Sequence, residues 1–256
     1  DLRIEKSNQG LLTRLGRWLS GEGDRLSISF QIKIKVPSRY SLSLINEYGV
    51  VDVLGVQGEL DLGNTSGDIN VQDCGGRLEV RNEYAATSVN TFNGAVHVGS
   101  TSGRVEVRNI AGAVRIENSY DRITFASLQA GLIIKSESSE VRGRNVKGDC
   151  HIATSYQSID VHDITGRLTI EGPSCSIRAG QVAQTVDIRA SYNPVEIDSL
   201  NADLVVTCES GKVSGRSIRG NVTVRNSYEA VQLQQVGGNV DVNGNSCTLQ
   251  IRQVQG

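Results

Sequence analysis

The chain has three histidines, His97, His151 and His162, and its densest acidic group is Asp160, Asp163, Glu196 and Asp198. Two carboxylates flanking a sugar linkage can hydrolyse it, one giving a proton and the other acting as base or nucleophile. Here Arg178 occupies the same repeat position as Asp160 and Glu196, in the interval between them. A nearby cation favours the ionised carboxylate, and a general acid must hold its proton near neutral pH. The cluster therefore reads as charge-balanced surface, and no residue takes a catalytic role. Four arginines, Arg108, Arg144, Arg216 and Arg252, share another repeat position. Such a row could follow an acidic polymer, although His162 and Asp198 fall between its members. His97 and His151 are separated by three repeats, about 14 Å at the usual strand spacing, so they cannot share a metal. There is no phosphate loop, GxGxxG, zinc-ligand spacing or nucleophile elbow. No cofactor and no metal are expected.

The repeat that sets these spacings is visible in the tyrosines. Tyr48, Tyr84, Tyr120, Tyr156, Tyr192 and Tyr228 recur every 36 residues, and Ser66, Ser102, Ser138, Ser174, Ser210 and Ser246 fall midway. A fixed period of this kind marks a repeat architecture. In 18-residue units counted from Asn46, positions 6, 8, 11, 15 and 17 are the apolar ones. Positions 6 and 8 alternate with polar neighbours, as do 15 and 17, which is strand periodicity. Position 13 is Gly in nine of twelve units and predicts a corner with positive φ. One unit cannot bury its apolar residues alone, so units must stack in register.

These features predict an all-β fold: a right-handed parallel β-solenoid, or β-helix, of about twelve 18-residue coils with a 36-residue super-repeat. A left-handed β-helix would need apolar residues six apart. A 36-residue coil and a six-bladed propeller fit the pattern less well. The Tyr/Ser alternation predicts a structural ladder inside the coils, where large residues over small ones relieve crowding. Gly143, Ala179 and Gly215 would leave space beside the rings. An exposed aromatic ladder that stacks on sugars is the functional alternative.

Residues 1–45 do not follow the repeat and are expected to form an N-terminal cap, with 46–256 the solenoid. Leu11, Leu12, Leu15, Trp18 and Leu19 would share one face of a helix over 9–20. A basic membrane-surface helix is its alternative reading. Leu26 to Val36 alternates as one long strand that would lead into the solenoid. With no Met in the chain, Asp1 is not a translation start, so a processed leader or further sequence is expected before it. Past Gly256, further chain or a covering partner is expected. The net charge of −2 argues against nucleic-acid binding. The five cysteines fall too far apart on the repeat grid to pair, since a disulfide needs Cα atoms within about 7 Å. Cys74 and Cys150 are expected to be inert core residues.

The strings NTSGDINV, STSGRVEV, NSYDRITF and NSYEAVQLQQVGGNVDV resemble a bacterial adhesin-like family of repeat domains of unknown function, with SxSGDVxV-type repeats. The resemblance covers about residues 26–256 and implies a β-solenoid in an extracytoplasmic or cell-envelope protein. It implies no catalytic residues. Asp121, Gln157, Asn193 and Glu229 depart from the Gly of that family's corner. The expected function is a non-enzymatic structural or binding module that presents its surface ladders to a protein or glycan partner. The alternatives are a scaffold subunit that self-associates through its coil ends, and a polysaccharide-active β-helix enzyme.

Overall fold

The computed structural model describes residues 4–6, 32–34 and 38–256. From Leu42 onward the chain is a β-solenoid, one parallel sheet of 22 strands wound as stacked coils. The register is 18 residues throughout. Ile123 pairs with Val105 on one side and Val141 on the other, and the same offset joins Leu42 to Leu60 and Val236 to Val254. Parallel pairing thus begins four residues before Asn46. Among the described residues there is no helix. Ile4–Lys6 and Ile32–Ile34 form a separate antiparallel pair. The expected helix over 9–20 lies outside the described residues, as does most of the expected strand over 26–36.

A typical coil has two strands, as in Val105–Ile110 and Val114–Tyr120. Its five inward residues, Val105, Val107, Ile110, Val114 and Ile116, are at most 2% exposed. β-Branched side chains suit these ladders because they pack well on a pleated surface. The same positions are buried in most coils, except in the final coil, where Leu249, Ile251 and Val254 are 39–48% exposed.

The apolar offsets force one bend. Positions 8 and 11 both point inward although three residues apart, and a strand with period 2 cannot do that unless one residue is inserted. Position 10 is that residue. Eleven non-glycine residues at this position, from Asp73 to Gln253, have φ between 53° and 61°, and Gly55 holds the place in the first coil. The ladder passes over them: Ala126 pairs with Arg144 and then Leu128 with Val146, leaving Ser127 and Asn145 unmatched. Side chains here are Asp, Asn, Ser, Thr or Gln, mostly the short polar residues that tolerate left-handed backbone best.

The glycines of position 13 have a different reason from the expected one. Only Gly76 and Gly94 among them have positive φ. Elsewhere the constraint is close stacking: a Cβ on Gly112 would stand 2.4 Å from the Gly94 carbonyl carbon, and one on Gly166 2.4 Å from that of Gly148.

The second corner is tied by buried amides at position 1. Asn64, Asn82, Asn118 and Asn226 are 2–4% exposed. Asn64 Nδ2 donates to the Gly67 carbonyl three residues on (2.7 Å) and to the Gly49 carbonyl of the preceding coil (2.8 Å). Asn226 does the same with Glu229 and Gly211, at 3.2 and 3.0 Å. These bonds satisfy carbonyls that the tight turn takes out of the ladder, which a buried backbone requires.

Candidate binding surfaces

The turn after position 1 decides where the tyrosines point. Position 1 faces inward and position 3 is left at the tip of the turn; asparagine amides tie the turn at Asn82, Asn118 and Asn226, and Tyr156 and Tyr192 are exposed although Thr154 and Ala190 hold position 1 there. The six tyrosines are accordingly exposed, from 52% at Tyr120 to 77% at Tyr48. The expectation of buried rings is overturned, because strand alternation does not continue through a turn. Large-over-small packing does occur, but within the position-8 ladder. A Cβ on Gly143 would lie 2.3 Å from the Phe125 ring, and one on Gly215 2.9 Å from Leu233 Cδ2. The space beside Gly143 and Gly215 is thus filled by Phe125 and Leu233 from neighbouring coils, not by tyrosine.

The result is one edge of the rod with tyrosine and serine in alternate coils. Backbone bonds hold it in register: the amides of Tyr84, Ser102 and Tyr120 donate to the position-2 carbonyls of the coil before, at 2.8–3.1 Å. Tyr48 is registered to Ser66, and Tyr120 to Ser138. Tyr156 departs from the rest with φ of 69°. Successive tyrosines are two strand spacings apart, about 9.6 Å.

Beside the tyrosines, positions 2, 4 and 5 carry eight carboxylates and three cations. Glu47, Glu83, Glu137 and Glu209, each one residue before a Tyr or Ser of the ladder, are all exposed. This edge is more acidic than the chain as a whole, whose net charge is −2. Sequence reading overlooked these glutamates, although their place beside the ladder was visible in the repeat.

On another face, strands such as Ser176–Val182 and Val213–Ile218 carry positions 7 and 9 outward. An open groove of about 540 Å³ runs there, lined among others by Arg178, Glu196, Asp198, Arg216, Gln232 and Arg252. The charges are mutually engaged. Arg178 pairs with Glu196 at 3.0 Å and Arg216 with Asp198 at 3.0 Å, which holds the Arg216 guanidinium above its usual pKa. His162 bonds Asp160 at 2.8 Å, and Asp163 is a bend residue with φ of 58°. The acidic cluster therefore divides into separate pairs. Of the four arginines in the row, Arg216 and Arg252 reach the groove, and Arg108 pairs with Glu106 at 2.6 Å. Arg144 is flanked in the ladder by Ala126 and His162, so the row is discontinuous.

His97 lies beside Glu79 at 3.0 Å, far from the other histidines in the ladder. Among the described residues, no group of three His, Cys, Asp or Glu side chains is placed to hold a metal ion. The cysteines are unpaired, and Cys74, Cys150, Cys175 and Cys208 are buried. Burial pushes the Cys150 thiol up to about 12. Among the described residues no helix is long and apolar enough to cross a membrane. No protein family matches the chain, and neither a curated protein nor a solved structure is similar to it.

Proposed function

We propose that this chain is a non-enzymatic binding module, a rigid rod that presents its tyrosine edge to a long protein or glycan partner. The observation that carries this reading is the exposure of all six tyrosines at one repeat position. Six exposed aromatic rings in one regular row are not scattered surface residues, and tyrosine combines a large contact area with a polar handle and little rotamer entropy. Ladder bonds hold the backbone at Tyr84 and Tyr120, so these rings are spaced before any partner arrives, which lowers the entropic cost of binding. The pairing of Glu196 and Asp198 with arginines supports a surface role for them over acid–base chemistry. The resemblance to bacterial adhesin-like repeats supports a position on the cell envelope.

An array of immobilised polysaccharides and peptides tests the proposal. The native chain is expected to bind one class of polymer without releasing new reducing ends. A Tyr84→Ser, Tyr120→Ser, Tyr192→Ser variant with an unchanged melting temperature is expected to lose that binding. Retained binding would remove the edge from consideration, and product release would return the polysaccharide-active enzyme.

A further inference from the structure

We infer that the tyrosine edge takes a basic, proline-rich segment in the polyproline II conformation, laid along the rod. The inference rests on the reading of that edge as the binding surface and names its partner. The spacing decides between the regular peptide conformations. Tyrosines stand about 9.6 Å apart at every second coil. An extended strand shows the same face every ~6.6–6.8 Å. An α-helix repeats every ~5.4 Å, so two turns overshoot by about 1.2 Å and the error grows to about 6 Å over five intervals. Polyproline II repeats every three residues at about 3.1 Å each, or about 9.3 Å. The mismatch is then about 0.3 Å per rung and about 1.5 Å from Tyr48 to Tyr228.

Shape agrees with spacing. With three residues per turn, every third residue of polyproline II lies on one straight stripe. The tyrosines also lie at one repeat position along the rod, with no insertion between Tyr48 and Tyr228. The serines between them leave a gap at each alternate coil, where a proline ring can sit between two tyrosines. Polyproline II has no internal hydrogen bonds, so its carbonyls are free to accept from tyrosine hydroxyls. Aromatic-lined surfaces recognise this conformation in general because it is preformed.

Charge selects the peptide over a sugar chain. Glu47, Glu83, Glu137 and Glu209 flank the ladder; Glu140 is taken by Arg122 and Arg142, which leaves seven carboxylates on the edge against Arg104 and Lys212. A neutral glycan gains nothing from that excess, and an acidic glycan or nucleic acid is repelled. Lysine or arginine between the prolines would meet it directly.

The test is fluorescence anisotropy on the full chain. One labelled peptide carries proline at every third residue and lysine between, over six turns. A second has the same length and the same numbers of proline and lysine, with the prolines scrambled off the three-residue period. A β-1,4-linked oligosaccharide of similar length is titrated separately by calorimetry. The period-three peptide is expected to bind at least about tenfold more tightly than the control, and Tyr84→Ala with Tyr120→Ala to abolish that preference. Equal binding of the two peptides would reduce the effect to charge and overturn the inference. Binding of the oligosaccharide alone, lost in the same variant, would overturn the partner while leaving the edge as the binding surface. Binding of none of the three would overturn both.

Discussion

Replacing Gly143 by alanine tests the large-over-small packing inside the coils. The added Cβ would fall 2.3–2.4 Å from three ring carbons of Phe125. Carbon atoms pack at about 3.5–4.0 Å, so the ring must move by more than 1 Å in a site where Phe125 is only 3% exposed. Overpacking of this kind costs about 1–3 kcal/mol. Alanine in a strand recovers about 0.5–1 kcal/mol relative to glycine, leaving a net loss of up to about 2.5 kcal/mol. Phe125→Leu alone should also destabilise, by leaving a void beside Gly143. Combined, the two changes refill the space, so the double variant should be more stable than the sum of the singles by at least about 1 kcal/mol. Urea unfolding of all four proteins, followed by circular dichroism, measures the coupling. A value near zero would show that the large-over-small alternation at position 8 does not carry the packing. Because solenoids unfold by coupled repeats, slopes as well as midpoints must be compared.

Other outcomes follow from the corners and charges. Asn226 Oδ1 is buried without a hydrogen-bond partner, and Cys208 is its registered neighbour in the coil before. Asn226 Nδ2 donates to the Glu229 and Gly211 carbonyls at 3.2 and 3.0 Å, so Asn226→Ala should lower stability by about 1–3 kcal/mol in thermal unfolding; no loss would count against the amide as a tie between coils. Alkylation of the native chain should label Cys247 first, with Cys150, pushed up to about 12 by burial, labelled only in denaturant. At Glu140, burial pushes the carboxyl up, but the bonds and charges of Arg122 and Arg142 outweigh it and hold it below the ordinary 4.5. Its contribution is therefore present above that value and is lost as the pH falls through the lower folded value. Glu140→Gln should flatten the acid limb of a stability-against-pH curve, and an unchanged limb would remove the pair as a cause.

The repeat was legible because solenoid ladders are local in sequence: each inward residue recurs after 18 positions, so Val105, Ile123 and Val141 could be aligned before any contact was known. The bend at position 10 was legible too, in the odd step between inward positions 8 and 11, but glycine drew attention to position 13 instead. There, contact with the backbone of the preceding coil governs the residue choice, and only stacking in space reveals such contact. Burial of the tyrosines was decided by tertiary structure. Alternation from positions 15 and 17 puts position 3 inside, and it holds only while the backbone keeps its regular pleat. The turn after position 1, tied by an asparagine amide at Asn82, Asn118 and Asn226, breaks that pleat and leaves position 3 outward. Ladder regularity does not separate an interior rung from an edge rung, because both repeat with the coil. Coil length, parallel register and most of the core follow from the 18-residue pattern alone. Which residues face a partner depended on where each turn closes, through hydrogen bonds that join one coil to the next.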